Sequence, residues 1–95
     1  MKASIQIDTK YADHLQRSAL SLNQLLIWTV YTPTTPDFPG WFIARPTIIR
    51  PKTSGPIPMH LMARDLDTLR AMLPAGLVCL QRKPEDDPVI LEVWV

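Results

Sequence analysis

The chain has 95 residues, 46% of them apolar and 20% charged, with a formal net charge of +1. That balance specifies a globular chain with one core, and it argues against non-specific nucleic-acid binding by the surface as a whole. A single cysteine excludes an internal disulfide framework and a cysteine-based zinc finger, and no apolar run reaches the roughly 18 residues of a membrane span.

Residues 1–23 read as an N-terminal helical extension. Ser4 to Ile7 has the alternation of a short strand. Tyr11, Leu15, Ala19 and Leu22 then recur at helical spacing, with His14, Arg17, Ser18 and Ser21 between them. Asp8 or Thr9 suits the N-cap, and Asn23 ends the helix.

Residues 24–95 read as an α+β core. Leu25 to Tyr31 is apolar, β-branched and aromatic, apolar on both faces at its start, as a central strand is. Thr32 to Gly40 carries Pro33, Pro36 and Pro39 and reads as a stiff loop. Trp41 to Ala44 resumes a strand, which Pro46 restricts to an edge or a strand end. Arg50 to Arg64, with Pro51, Pro56 and Pro58 around Ser54-Gly55, reads as a long loop.

Asp65 caps a second helix carrying Leu66, Leu69, Arg70 and Leu73, and Gly76 suits its left-handed exit. Leu77 to Leu80 reads as a short buried strand, Gln81 to Pro88 as a charged turn and Val89 to Val95 as the last strand. The order α-β-β-α-β-β predicts a single α+β domain over 1–95. Its sheet is small and mainly antiparallel, with helices packed on one face. If the C-terminal strand lies at an edge, it offers a homodimer contact.

Catalytic sets are sparse. Cys79 sits among Leu77, Val78 and Leu80, where a small core hydrophobe belongs. His14 and His60 have no ligand partner at helical spacing and read as exposed histidines. Asp86-Asp87, with Glu85, lacks the alternate spacing of a calcium loop. Glu92 interrupts an apolar strand and is expected to pair with an arginine on a neighbouring strand. An acid–base pair drawn from Asp37, His60, Asp87 or Glu92 has no support in the spacing, and no phosphate-cradling glycine motif is present. The reading is therefore of a protein without catalytic activity, cofactor or metal.

Charge is unevenly spread. Phe38 to Arg64 holds no acid but carries Arg45, Arg50, Lys52 and Arg64, whereas Asp65 to Val95 carries six acids against Arg70, Arg82 and Lys83. Basic residues near Trp41 suit phosphate or an acidic protein face. The predicted binding residues are Trp41, Arg45, Arg50, Lys52, Arg64 and Arg82.

Trp28-Thr29-Val30-Tyr31, Asp37-Phe38-Pro39 and Phe42-Ile43-Ala44-Arg45 are followed by Pro74-Ala75-Gly76-Leu77, Arg82 to Pro88, and Glu92 with Trp94. In order and spacing this resembles a family of small uncharacterised proteins of proteobacterial genomes, prophages and phages. The resemblance runs from Trp28 to the C-terminus. It departs at Thr32-Pro33-Thr34-Thr35, where the family usually has His-Pro or a similar pair, and at Pro46 after Arg45. It implies a compact α+β module encoded by a mobile element, and it carries over no catalytic residue. Together these readings lead to a cytoplasmic, non-enzymatic binding protein. Its partner would be a host protein or nucleoprotein complex, which it occludes as a counter-defence inhibitor such as an anti-CRISPR. The alternative is a protein that sequesters a nucleotide or other small anion.

Overall fold

The computed structural model describes residues 4–81, 83, 85 and 87–95. In chain order the elements are β1 (Ile5–Gln6), α1 (Thr9–Ser21), β2 (Leu25–Tyr31), β3 (Phe42–Ile49), β4 (Gly55–Pro56), β5 (Met59–Ala63), α2 (Leu66–Met72), β6 (Cys79–Gln81) and β7 (Ile90–Trp94). The strands form one sheet in the order β1-β5-β3-β2-β7-β6, with β4 beside β3. Every pairing is antiparallel except the short parallel contact of β1 with β5.

The observed order differs from the predicted one over Arg50 to Arg64, where β4 and β5 replace the expected loop. Met59 to Ala63 is a strand despite having no β-branched residue. Leu61 and Ala63 turn into the core, and the segment pairs with Phe42–Ala44. Pro46 is also not at an edge, because β3 runs straight through it between β2 and the β4–β5 pair. The reason is local. The Pro46 carbonyl accepts from Ile57 N at 3.0 Å, so that residue's polar side faces the junction between β4 and β5. The missing N–H points into a break in pairing rather than at β2. The C-terminal strand is internal as well: β7 lies between β2 and β6, so it has no free edge for a dimer.

The helix caps form where the sequence places them. Asp8 accepts from Tyr11 N at 2.8 Å, and Asp65 accepts from Thr68 N at 2.9 Å and Thr68 Oγ1 at 2.7 Å. Asn23 takes the left-handed conformation at φ 54°, and Gln24 N returns to the Ala19 carbonyl at 2.8 Å, closing the end of α1. The buried side of α1 is rotated from the expected stripe. Ala12 and Ala19 are buried, while Tyr11 and Leu22 are exposed. Two small residues let the helix approach closely, and Gln16 reaches inward to accept from Trp28 Nε1 at 3.1 Å.

Alternation along β2 separates core from surface. Leu26, Trp28 and Val30 are fully buried and share a cluster with Ala44 and Leu61 of the sheet, Ala12 and Ala19 of α1, and Leu69 of α2. Leu25 is exposed, and Ile27, Thr29 and Tyr31 are half-buried. Among the described residues no helix is long and apolar enough to cross a membrane.

Candidate binding site

The basic residues expected to act together lie in two places. At one end of β3, the pairing of Phe42 with Ala63 brings Trp41 and Arg64 side by side. The Arg64 guanidinium lies 3.8 Å from the centre of the Trp41 ring, and its Nη1 donates to the Gly40 carbonyl at 3.3 Å. Gly40 is required here. Its φ is +85°, and a Cβ on it would stand 3.1 Å from Arg64 Nη1.

Arg45 serves the same end of the sheet from within β3. It lies 5.8 Å from both the Tyr31 and Phe38 ring centres and 3.7 Å from Asp37. Those contacts tie down the proline-rich loop, which is closed at its neck by Gly40 N donating to the Pro33 carbonyl at 2.8 Å. Arg50 is five residues further along the chain, about 17 Å at roughly 3.4 Å per residue. It lines a shallow cleft with Leu15 of α1 and Leu22 just past its end, and Ser54 Oγ braces its backbone. Lys52 is exposed in the following turn. Arg82 lies outside the described residues, as does Asp86.

His60 is buried, contrary to the expectation, because it belongs to β5 rather than to a loop. Its Nδ1 is 2.7 Å from Ser4 Oγ, and its ring packs 4.6 Å from that of Phe38. Burial holds the imidazole below its ordinary pKa, and the Arg45 charge lowers it further. The unfolded chain therefore binds the proton first. This contribution to stability is complete above about pH 6.5 and is lost as pH falls toward the lowered folded value. Melting temperatures measured from neutral to mildly acidic pH should fall for the wild type. In His60→Asn the part of that fall due to this residue should be missing; an unchanged slope would contradict the assignment.

The densest polar cluster is at Glu92, only 7% exposed. Arg70 grips it with two hydrogen bonds, Nε to Oε1 at 2.9 Å and Nη2 to Oε2 at 2.8 Å. Trp94 Nε1 donates to Oε1 at 3.0 Å, and the Cys79 thiol lies 3.7 Å from Oε2. The arginine comes from α2, not from the neighbouring strand that the sequence suggested. The Arg70 hydrogen bonds lower the Glu92 pKa against the opposing effect of burial, and the Arg70 pKa is raised in turn.

Cys79 is exposed in β6, not a core residue. Its thiol turns back toward Glu92, and desolvation there, aided by the carboxylate, raises its pKa. That favours the thiol over the nucleophilic thiolate. Asp87 is occupied in its own turn, accepting from Val89 N at 3.1 Å. Among the described residues no group of three or more His, Cys, Asp or Glu side chains is placed to hold a metal ion. The arginine–aromatic pairs carried a sequence signal in their charge and aromatic content. The Arg70–Glu92 pair carried one in the lone acid of an apolar strand.

The fold and these contacts define a mixed α/β protein built on a mainly antiparallel seven-stranded sheet. No family model, curated protein or solved structure matches the chain.

Proposed function

We propose that this protein is a non-catalytic binding module that occludes a surface of a host protein or nucleoprotein, in the manner of a phage-encoded counter-defence inhibitor such as an anti-CRISPR. The observation that carries the reading is the Trp41–Arg64 stack at the sheet end, beside Arg45 and the braced loop. Tryptophan and arginine are the residue types that dominate binding hot spots, and a rigid support lowers the entropy lost on binding. The cationic end suits an acidic patch on the partner. The polar groups of the Glu92 cluster, by contrast, are satisfied by one another. The phage assignment rests on the family resemblance alone. Both helices are assigned to one face, supported by Gln16 reaching Trp28 and Arg70 reaching Glu92. Trp28 and Glu92 both flank Val30 on the sheet, one along β2 and one across the β2–β7 pairing.

The test is capture from a lysate of the bacterial host with tagged wild type, Trp41→Ala, Arg64→Glu and Arg50→Glu/Lys52→Glu. A partner retained by wild type should be lost at least tenfold with Trp41→Ala and with Arg64→Glu at unchanged melting temperature, and kept by the double reversal. Retention by all variants would overturn the site. A melting temperature raised saturably by a nucleoside triphosphate would instead favour the small-anion reading.

A further inference from the structure

The Thr32–Gly40 loop is anchored on the side of the sheet away from Trp28, and register shows to what. Ala44 and Leu61 face the core opposite each other, so the next pair along, Arg45 and His60, stands side by side on the other face. Phe38 of the loop lies against both, its ring centre 4.6 Å from that of His60 and 5.8 Å from the Arg45 guanidinium. Ile43, two residues before Arg45 on the same face, is 1% exposed although it lies outside the main core cluster. From Phe38 the contacts run directly to the Trp41–Arg64 end. Trp41 N donates to the Phe38 carbonyl at 3.2 Å, and Arg64 Nη1 donates to the Gly40 carbonyl at 3.3 Å. We propose that this loop is a proton-released strap: when His60 takes up a proton, Phe38 leaves the Arg45–His60 pair and the Trp41–Arg64 end loses its fixed shape. As a regulation of that end, the inference rests on the binding role given to it above.

The groups around His60 set the direction. Arg45 of β3 is the cation beside it, with Tyr31 of β2 against that guanidinium at 5.8 Å. The loop supplies one carboxylate, Asp37, which is 47% exposed and 3.7 Å from Arg45. Gln6 of β1, opposite His60, is neutral, and Ser4 offers only a hydroxyl, 2.7 Å from Nδ1. Within β5 His60 is flanked by Met59, Leu61 and Met62, and Arg64 follows at the far end over Trp41. Among the described residues no ion pair includes His60. An imidazolium here is therefore buried beside a like charge, and it shares the Phe38 ring and the single carboxylate with Arg45. The closed loop also carries a cost of its own. Thr35 Oγ1 is buried with no hydrogen-bond partner among the described residues, and opening gives it to water. Neutral His60 favours the closed strap and protonated His60 the open one. The strap is closed at neutral pH and opens as pH falls through the lowered pKa of the folded His60.

NMR of the full chain, titrated from neutral pH to the onset of acid unfolding, reads this without a partner. The Gly40 amide and the Trp41 indole signals should shift with the same midpoint as the His60 ring. Below that midpoint the exchange protection of the Gly40 amide, bonded to the Pro33 carbonyl, should fall about tenfold or more. The Trp28 indole, bonded to Gln16 in the core, should not move, which separates release of the strap from unfolding. In His60→Asn, which has no titrating ring, both changes should vanish; the matched midpoint in wild type tests the proposal even if that variant fails to fold. His60 titrating while Gly40 and Trp41 stay still overturns the proposal. So does a His60 ring still neutral when the fold is lost, a Trp28 signal that moves with the others, or a transition that survives in His60→Asn. Failure here leaves the binding role of Trp41 and Arg64 standing, and failure of partner capture leaves the strap standing.

Discussion

Replacing Arg70 with methionine should cost about 3 kcal/mol, a fall in melting temperature of roughly 12–24 °C for a chain of this size. The cost comes from Glu92 more than from the arginine. Glu92 is buried, and its charge is tolerated because three hydrogen bonds from Arg70 and Trp94 stand in for water. Without Arg70 the carboxylate keeps one strong donor. The figure sits at the low end of the range for broken buried pairs because the Arg70 side chain is 41% exposed, so water can enter. Replacing both partners, Arg70→Met with Glu92→Met, should recover most of the loss, since no buried charge then remains.

The pH dependence separates this account from lost packing. In wild type the Glu92 pKa is lowered, so its contribution is present at neutral pH and is lost as pH falls through the lowered value. In Arg70→Met the dominant lowering cause is gone and burial raises the pKa instead. That variant should regain stability on mild acidification, the reverse of wild type. Urea unfolding of the four proteins of the cycle, at neutral pH and near pH 5, reads both effects. An Arg70→Met variant within 1 kcal/mol of wild type would show that the pair contributes little.

This cluster also shows what the sequence carries and what it conceals. An acid on an apolar strand announces a partner, and Arg70 lies one helical turn before the buried Leu73. Which arginine meets Glu92 depends on how α2 lies on the sheet, a long-range fact that no local pattern holds. Caps were legible because they are local: Asp8, Asn23 and Asp65 act within a few residues of themselves, whereas Gly76 takes its positive φ in a turn beyond α2, whose end at Leu73 is extended. Strand β5 was concealed because Met59 to Ala63 has weak strand propensity and prolines before it. The buried state of His60 was concealed with it. Cys79 misled in the opposite direction, since its apolar neighbours Val78 and Leu80 themselves face solvent. The basic residues of the central segment are spread out because β3 is extended. Arg45 and Arg50 are close in sequence and far apart along an extended strand.

The other large effect is expected at Trp28. It is the largest fully buried side chain, central in β2 and flanked by β3 and β7 through Pro46 and Trp94. Trp28→Ala should cost about 4 kcal/mol through lost burial and an unfilled cavity. Against a total of about 5–15 kcal/mol, that leaves a marginal fold. Trp28→Phe is the more informative change. It keeps most of the apolar volume but removes the Nε1 donor to Gln16 Oε1. Gln16 is half-buried, so water can replace the bond, and the cost should be about 1–2 kcal/mol. The effect should also be local. Gln16 belongs to α1, and that helix otherwise meets the core through alanines and half-buried Leu15, which provide little area to hold it. Amide exchange in Trp28→Phe should therefore speed up across Thr9–Ser21 more than across β2 and β3. Faster exchange confined to the helix would identify the indole–amide bond as the latch that docks it. Uniform acceleration would mean that α1 and the sheet open together, with Trp28 contributing only to the common core.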